Sequence, residues 1–153
     1  MKLSKEAIEG IIREVIREEL GQAGGPAKTL DPSGVIGVDP ARVPLEVFPF
    51  PIETDPPGRA SAVKLIDLLT LDESPRLGCG TMELDACSFE WTLTYDEIDF
   101  VVDGTLDIIT DGRPTRATAG QVIFIPKNTT VRFSTPDHVR FLYVCYPANW
   151  SDQ

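Results

Sequence analysis

Apolar residues recur with helical spacing only at the start of the chain. Ile8, Ile11, Ile12, Val15, Ile16 and Leu20 fall on one stripe at i, i+3, i+4, i+7, i+8 and i+12, which predicts an amphipathic helix over residues 4–20. Its other face carries Lys5, Glu6, Glu9, Arg13, Glu14, Arg17 and Glu18. Ser4 stands at the N-cap, Leu3 and Ile8 form a hydrophobic staple, and Gly21 supplies the stop. Residues 21–34 are rich in glycine and proline and read as a linker. A short helix isolated by such a linker buries its apolar stripe against its own domain only if the linker folds back. The sequence therefore points to docking on another protein.

After the linker the period changes from helical to strand-like. Residues 35–52 are broken by Pro40, Pro44, Pro49 and Pro51 and supply only short edge pieces. Short β-rich runs follow at 62–69, 79–84, 88–94, 97–102, 105–110, 121–125, 130–134 and 139–146. Turn signals separate them at Asp103-Gly104, Asp111-Gly112 and Pro126-Lys127-Asn128. Eight short strands without an intervening helix predict an all-β domain over residues 35–153, built as a closed or two-sheet antiparallel barrel.

Length and charge narrow the function. At 153 residues the chain suits one domain with a tail. Its 24 acidic and 14 basic residues leave a net charge of −10, which repels nucleic acid and anionic membrane surfaces. His138 is the one histidine in the chain, so a multi-histidine metal site cannot be built within one subunit. It lies in Thr-Pro-Asp-His and reads as an exposed turn residue. Cys79, Cys87 and Cys145 are odd in number and lack C-x-x-C pairing, which suits buried thiols in a reducing compartment. The N-terminus has no signal-peptide pattern, and no apolar run is long enough to span a bilayer, so the expected location is the cytoplasm.

Two segments carry the strongest local signal. The first runs from Tyr95 through Glu97 and Asp99 to Gly104; the second runs from Gly120 through Pro126 to Asn128. Together they resemble the two motifs of the cupin superfamily, over roughly residues 60–147. The resemblance implies a cupin-type double-stranded β-helix, or jelly roll. In cupins generally these motifs supply two histidines and a glutamate, then a further histidine, to a divalent metal. Here Glu97 matches the glutamate. The first histidine positions fall on Glu90 and Thr92 or on Trp91 and Leu93, according to spacing, and the last falls on Val131. No histidine-ligated metal is expected. Asn128 stands at the turn glycine position, where asparagine tolerates the left-handed backbone region.

Further stretches narrow the match. Ser74-Pro-Arg-Leu-Gly-Cys-Gly, the run from Ser88 to Val101, Gly120 to Pro126 and the ending Tyr146-Pro-Ala-Asn-Trp resemble the EutQ family of ethanolamine-utilisation cupins. That resemblance implies a place with a bacterial microcompartment that degrades ethanolamine, and acetate kinase activity converting ATP and acetate to ADP and acetyl phosphate. It implies Mg²⁺ with ATP, a helix over residues 1–20 docking on shell proteins, and a homodimer. The proline-broken edge between Val38 and Ile52 is a candidate for strand exchange in such a dimer.

Strand alternation puts Glu97 and Asp99 on one face, inward if the cupin match holds. With Glu90 and Tyr95 they form the candidate catalytic set, and Glu97 with Asp99 the candidate metal ligands. Lys64, Arg76 and Arg132 are candidate cations for a small-molecule or phosphate substrate. An oxygen-rich site favours a hard ion such as Mg²⁺. No G-x-x-x-x-G-K-[ST] loop is present, so nucleotide chemistry rests on the resemblance alone. The alternative function is a non-catalytic degenerate cupin that serves microcompartment assembly or binds a small ligand.

Overall fold

A computed structural model of the chain describes residues 26–152. The predicted helix over 4–20 and the first residues of the predicted linker lie outside the described residues. The chain divides into two compact units, Met1–Arg42 and Val43–Gln153. In the first, β1 (Lys28–Leu30) pairs antiparallel with β2 (Ile36–Val38), so a small hairpin occupies part of the stretch whose composition reads as linker. Its turn is held by Gly34 N–H donating to the Asp31 carbonyl at 2.8 Å and by Ser33 N–H donating to Asp31 Oδ1 at 2.9 Å.

The second unit is an all-β fold of the cupin type. Its strands are β3 (Glu46–Val47), β4 (Thr54–Asp55), β5 (Val63–Asp67), β6 (Gly78–Asp85), β7 (Ser88–Leu93), β8 (Asp96–Thr110), β9 (Arg113–Thr118), β10 (Val122–Ile125), β11 (Thr129–Ser134) and β12 (His138–Tyr146). They form one curled antiparallel sheet in the order β3-β5-β6-β12-β8-β11-β7-β4, with β9 and β10 also paired to β8. The 15-residue β8 joins its two halves. The Asp96 end pairs with β12 and β10, and the Thr110 end with β11 and β9.

Sequence alternation explains which face is core. Val63 and Leu65, Met82 and Leu84, and Val139, Phe141, Tyr143 and Cys145 are buried at alternate positions. Phe133 of β11 stacks on Phe89 of β7 at 5.3 Å between ring centroids and on Phe141 of β12 at 6.1 Å, which ties the two halves together. Phe48 adds a ring 5.5 Å from Phe89.

Three expectations change. Residues 97–102 and 105–110 are one strand, because Asp103-Gly104 is not a hairpin turn. The pairing of β12 with β8 slips there by one residue, from Arg140↔Asp103 to Phe141↔Val101, and Gly104 adopts φ 81° at the bulge. A Cβ on Gly104 would strike the His138 backbone. The second change is β9, which the sequence pattern misses: its polar, mostly exposed residues pair with β8, and Arg116 grips Asp107 through two bonds of 2.8 and 2.7 Å. Third, His138 opens β12 rather than lying in a turn; it is half-buried, with Nδ1 2.6 Å from Asp85 Oδ1. The Asp111-Gly112 turn and the left-handed Asn128, with φ 62°, occur as expected. The cysteines are free thiols, Cys87 and Cys145 buried and Cys79 half-buried.

Gly78 and Gly80 explain the Leu-Gly-Cys-Gly run. A Cβ at Gly78 would collide with Cys145 Sγ, and one at Gly80 would collide with the Tyr143 ring and hydroxyl. Gly80→Ala is therefore expected to destabilise the fold by roughly 1–3 kcal/mol. Thermal unfolding followed by circular dichroism checks this, and an unchanged midpoint would contradict the packing described.

Candidate functional site

The opening of β8 places two carboxylates inside the barrel. Asp99 is fully buried and Glu97 is 7% exposed, in register with Tyr143 and Ile123 around Asp99 and with Cys145 and Ile125 around Glu97. The strand end is pinned by Lys127 N–H donating to Asp96 Oδ1 at 2.9 Å, which joins the turn after β10 to the start of β8. Apart from Glu97, neither oxygen of Asp99 has a hydrogen-bond partner among the described residues. Desolvation pushes the Glu97 carboxyl up to about 7, against a smaller opposing effect of Asp99. Desolvation and then the Glu97 charge push Asp99 well above the usual carboxylate range. The two titrate as a pair that holds a proton at pH values where an exposed carboxyl has lost it.

Glu97 looks into a small cavity lined mainly by Phe48, Leu65, Met82, Phe89, Phe133 and the rings of Trp91, Tyr95, Tyr143 and Trp150. The centre of a water molecule can range over only about 20 Å³ there, enough for about one water-sized occupant. Trp91 Nε1 donates to Tyr95 Oη at 3.0 Å, and burial, with the Glu97 charge next, holds the Tyr95 phenol far from ionisation. Trp150 Nε1 donates to Asp67 Oδ1 at 3.2 Å. The same oxygen accepts the Tyr143 hydroxyl at 2.7 Å. Burial and the Glu97 and Asp67 charges raise the Cys145 thiol to about 12, so it stays neutral.

The structure thus brings together Glu97, Asp99 and Tyr95, and leaves out the other predicted site residues. Glu90 is exposed, because β7 turns Phe89, Trp91 and Leu93 toward the core and Glu90 and Thr92 away. The two cupin histidine positions therefore coincide inside the barrel with Trp91 and Leu93, and the last with buried Val131. Lys64 lies between buried Val63 and Leu65 and so points outward. Arg76 is exposed between β5 and β6. Arg132 is opposite Glu90 on the outer face, with Nη1 3.3 Å from Ser88 Oγ. No lysine or arginine lines the cavity among the described residues.

Asp67, Tyr143 and Trp150 form a hydrogen-bonded group beside the cavity and were not among the predicted site residues. The only trace of them in the sequence is indirect: Gly80, opposite Asp67, makes room for Tyr143, and Trp150 ends the Tyr-Pro-Ala-Asn-Trp run. Among the described residues, one group of three potential metal ligands occurs, Glu83, Asp85 and His138. It lies away from the cavity, and Glu83 is already paired with Arg140 at 2.9 Å. In the barrel, Glu97 and Asp99 offer carboxylate oxygens, the donor type that Mg²⁺ takes, but the cavity beside Glu97 has room for about one water and Asp99 is not in its lining. A nucleotide does not fit inside the cavity.

Comparison with known proteins assigns the chain to a family and agrees with the fold. The family described as Ethanolamine utilisation protein EutQ matches residues 3–152. A protein of Clostridioides difficile (strain 630) named Acetate kinase EutQ is 42% identical over 151 residues, covering 99% of this chain and 96% of that protein. One of the same name from Salmonella typhimurium is 48% identical over 88 residues, 58% of this chain and only 38% of that longer protein. Among solved structures, the Clostridium difficile EutQ protein is 45% identical with a TM-score of 0.70, over 82% of this chain and 90% of that one. The polyketide cyclase RemF from Streptomyces resistomycificus shares the fold at 18% identity, with a TM-score of 0.58 over 72% of this chain and 78% of that one. A family match along almost the whole length, and a relative 42% identical over 99% of the chain, make the chain a member of the EutQ family of ethanolamine-utilisation proteins.

Proposed function

We propose that this EutQ-family protein is an acetate kinase, interconverting ATP and acetate with ADP and acetyl phosphate, and that it works with a bacterial microcompartment to which residues 1–20 dock it through shell proteins. The observation that carries the reading is the carboxylate pair: Asp99 is fully buried with no hydrogen-bond partner other than Glu97 among the described residues, and Glu97 lines the cavity. The name Acetate kinase EutQ, borne by a relative 42% identical across 99% of the chain, supplies the reaction class.

In this reading Glu97 and Asp99 would hold Mg²⁺, which would supply positive charge to offset that of a phosphate. The pair must then give up its proton, so binding is favoured as pH rises. Tyr95, kept neutral and fixed by Trp91, offers a hydroxyl beside Glu97. Aromatic walls keep bulk water from the carboxylates. The nucleotide lies outside the barrel, where clefts of about 270 and 250 Å³ flank Trp150, both bordered by Asp67 and Ser151. A second reading, a non-catalytic cupin that binds a small ligand or serves assembly, is favoured by the size of the cavity and by the absence of lysine and arginine from its described lining.

Acetyl phosphate formation, coupled to a chromogenic readout, separates the two. The kinase reading expects a rate above blank in the wild type and a loss of about 100-fold in Glu97→Gln. Equal rates in both proteins remove Glu97 from the mechanism, and no rate above blank leaves the non-catalytic reading. Mg²⁺ is expected to raise the thermal midpoint of the wild type at pH 8 and not that of Asp99→Asn.

The pair also sets a pH dependence without metal. Its folded-state affinity for protons exceeds that of the unfolded chain, so stability is full below the ordinary carboxylate range and falls as pH rises through about 7. Denaturant titrations from pH 4 to 8 are expected to show this decline in the wild type and a smaller one in Glu97→Gln.

A further inference from the structure

The one histidine of the chain stands outside the barrel, beside two carboxylates that the barrel chemistry leaves unused. His138 opens β12 directly opposite Asp85, and Glu83, two residues before Asp85 on β6, shares its face. Leu84, between the two acids, and Val139, next to the histidine, are fully buried, so the three polar side chains project from the outer side of a packed sheet. One ligand atom from each of Glu83, Asp85 and His138 lies within 4.8 Å of the other two, and His138 Nδ1 is 2.6 Å from Asp85 Oδ1. Ligands held about 2.0–2.1 Å from zinc stand roughly 3.4 Å apart in a tetrahedron, a spacing between those two distances.

We propose that Glu83, Asp85 and His138 form a zinc site on the outer face of β6 and β12, with the fourth position left to water. Donor type selects the ion: a ring nitrogen with two carboxylates suits Zn²⁺, whereas Mg²⁺ and Ca²⁺ take sets of about six or more oxygens. Two carboxylates beside an imidazole match the charge of a divalent ion. The backbone under the ligands is fixed. Arg59 Nη2 donates to the Asp85 carbonyl at 2.9 Å, Ala86 N–H donates to the Asp137 carbonyl at 2.6 Å, and β8 lies so close to the His138 carbonyl that a Cβ at Gly104 would strike it. The side chains remain open to solvent, His138 34% and Asp85 49% exposed. Outer groups orient two of the ligands. Asp103 Oδ2 lies 3.9 Å from His138 Nε2, near enough to attract the Nε2–H while Nδ1 faces the ion. Arg140 Nε donates to Glu83 Oε2 at 2.9 Å and so fixes that carboxylate through one of its two oxygens. Arg140 and Lys64, both opposite Glu83 on the neighbouring strands, add positive charge, so binding is weaker than in a closed structural zinc site.

Proton NMR of the untagged full chain tests the site apart from the barrel, because the single imidazole gives one set of ring signals. Zn²⁺ added up to one equivalent is expected to shift those signals, while Mg²⁺ leaves them in place, and Glu97→Gln is expected to bind Zn²⁺ as the wild type does. Competition against a chromogenic chelator is expected to give an affinity roughly tenfold or more lower in Asp85→Asn and in Glu83→Gln, and about tenfold lower in Asp103→Asn. Should Asp85→Asn fail to fold, Glu83→Gln, which keeps an oxygen for Arg140, carries the test, with circular dichroism as the check on its fold. Ring signals that Zn²⁺ does not move, an equal shift with Mg²⁺, zinc held as tightly by His138→Gln, or zinc lost with Cys79→Ser instead overturns the proposal.

Discussion

Placing Glu97 and Asp99 inside a barrel whose described cavity lining holds no lysine or arginine is the constraint around which the rest of this structure is arranged. Two carboxyl groups two residues apart on one strand face must share their burial, and desolvation raises both. Such a pair persists only if it keeps a proton or receives a cation, because two bare charges at that depth are costly. The surrounding wall responds with rings and thiols that stay neutral: Tyr95, Tyr143 and Cys145 are all held in their protonated forms by the same burial and by the Glu97 charge. Where other cupins turn histidines inward, this chain turns Trp91, Leu93 and Val131, so the space a metal-histidine cluster would fill is packed by side chains.

One strand imposes both halves of this arrangement. β8 is long enough to serve both sheet halves, and its alternation sends Glu97, Asp99 and Val101 inward while Ile98, Phe100 and Val102 face out. Gly104 marks the crossing between halves, where a bulge and a positive φ are needed at once. The wall of the cavity also depends on chain far from β8. Asp67 collects the Tyr143 hydroxyl and the Trp150 indole, and the missing side chain of Gly80 leaves the space in which Tyr143 reaches it.

The sequence was informative where period and motif agreed. Alternation with a recognisable glutamate placed Glu97 and Asp99 inside, and asparagine's tolerance of the left-handed region accounted for Asn128. Glu90 failed because alternation gives two faces and not which is inner: Glu90 and Thr92 alternate as regularly as Trp91 and Leu93, and only the burial of Phe89 and Leu93 in the folded barrel settles the matter. Lys64 and Arg132 failed for the same reason, one strand at a time. β9 was hidden because an exposed edge strand with Pro114 needs no apolar alternation. Asp67 carries no local signal at all, since its partners are 76 and 83 residues away in the chain.

The family places the chain in ethanolamine utilisation, while the chemistry of this barrel rests on the state of its acidic pair. The most direct measurement is a carbon-13 NMR titration of the side-chain carboxyl of Glu97, with Asp99→Asn used for assignment, repeated with Mg²⁺. The account expects a midpoint near 7 without metal and a clear downward shift with it. A midpoint in the ordinary carboxylate range near 4.5, unmoved by Mg²⁺, would contradict the buried, cation-seeking pair on which the account depends.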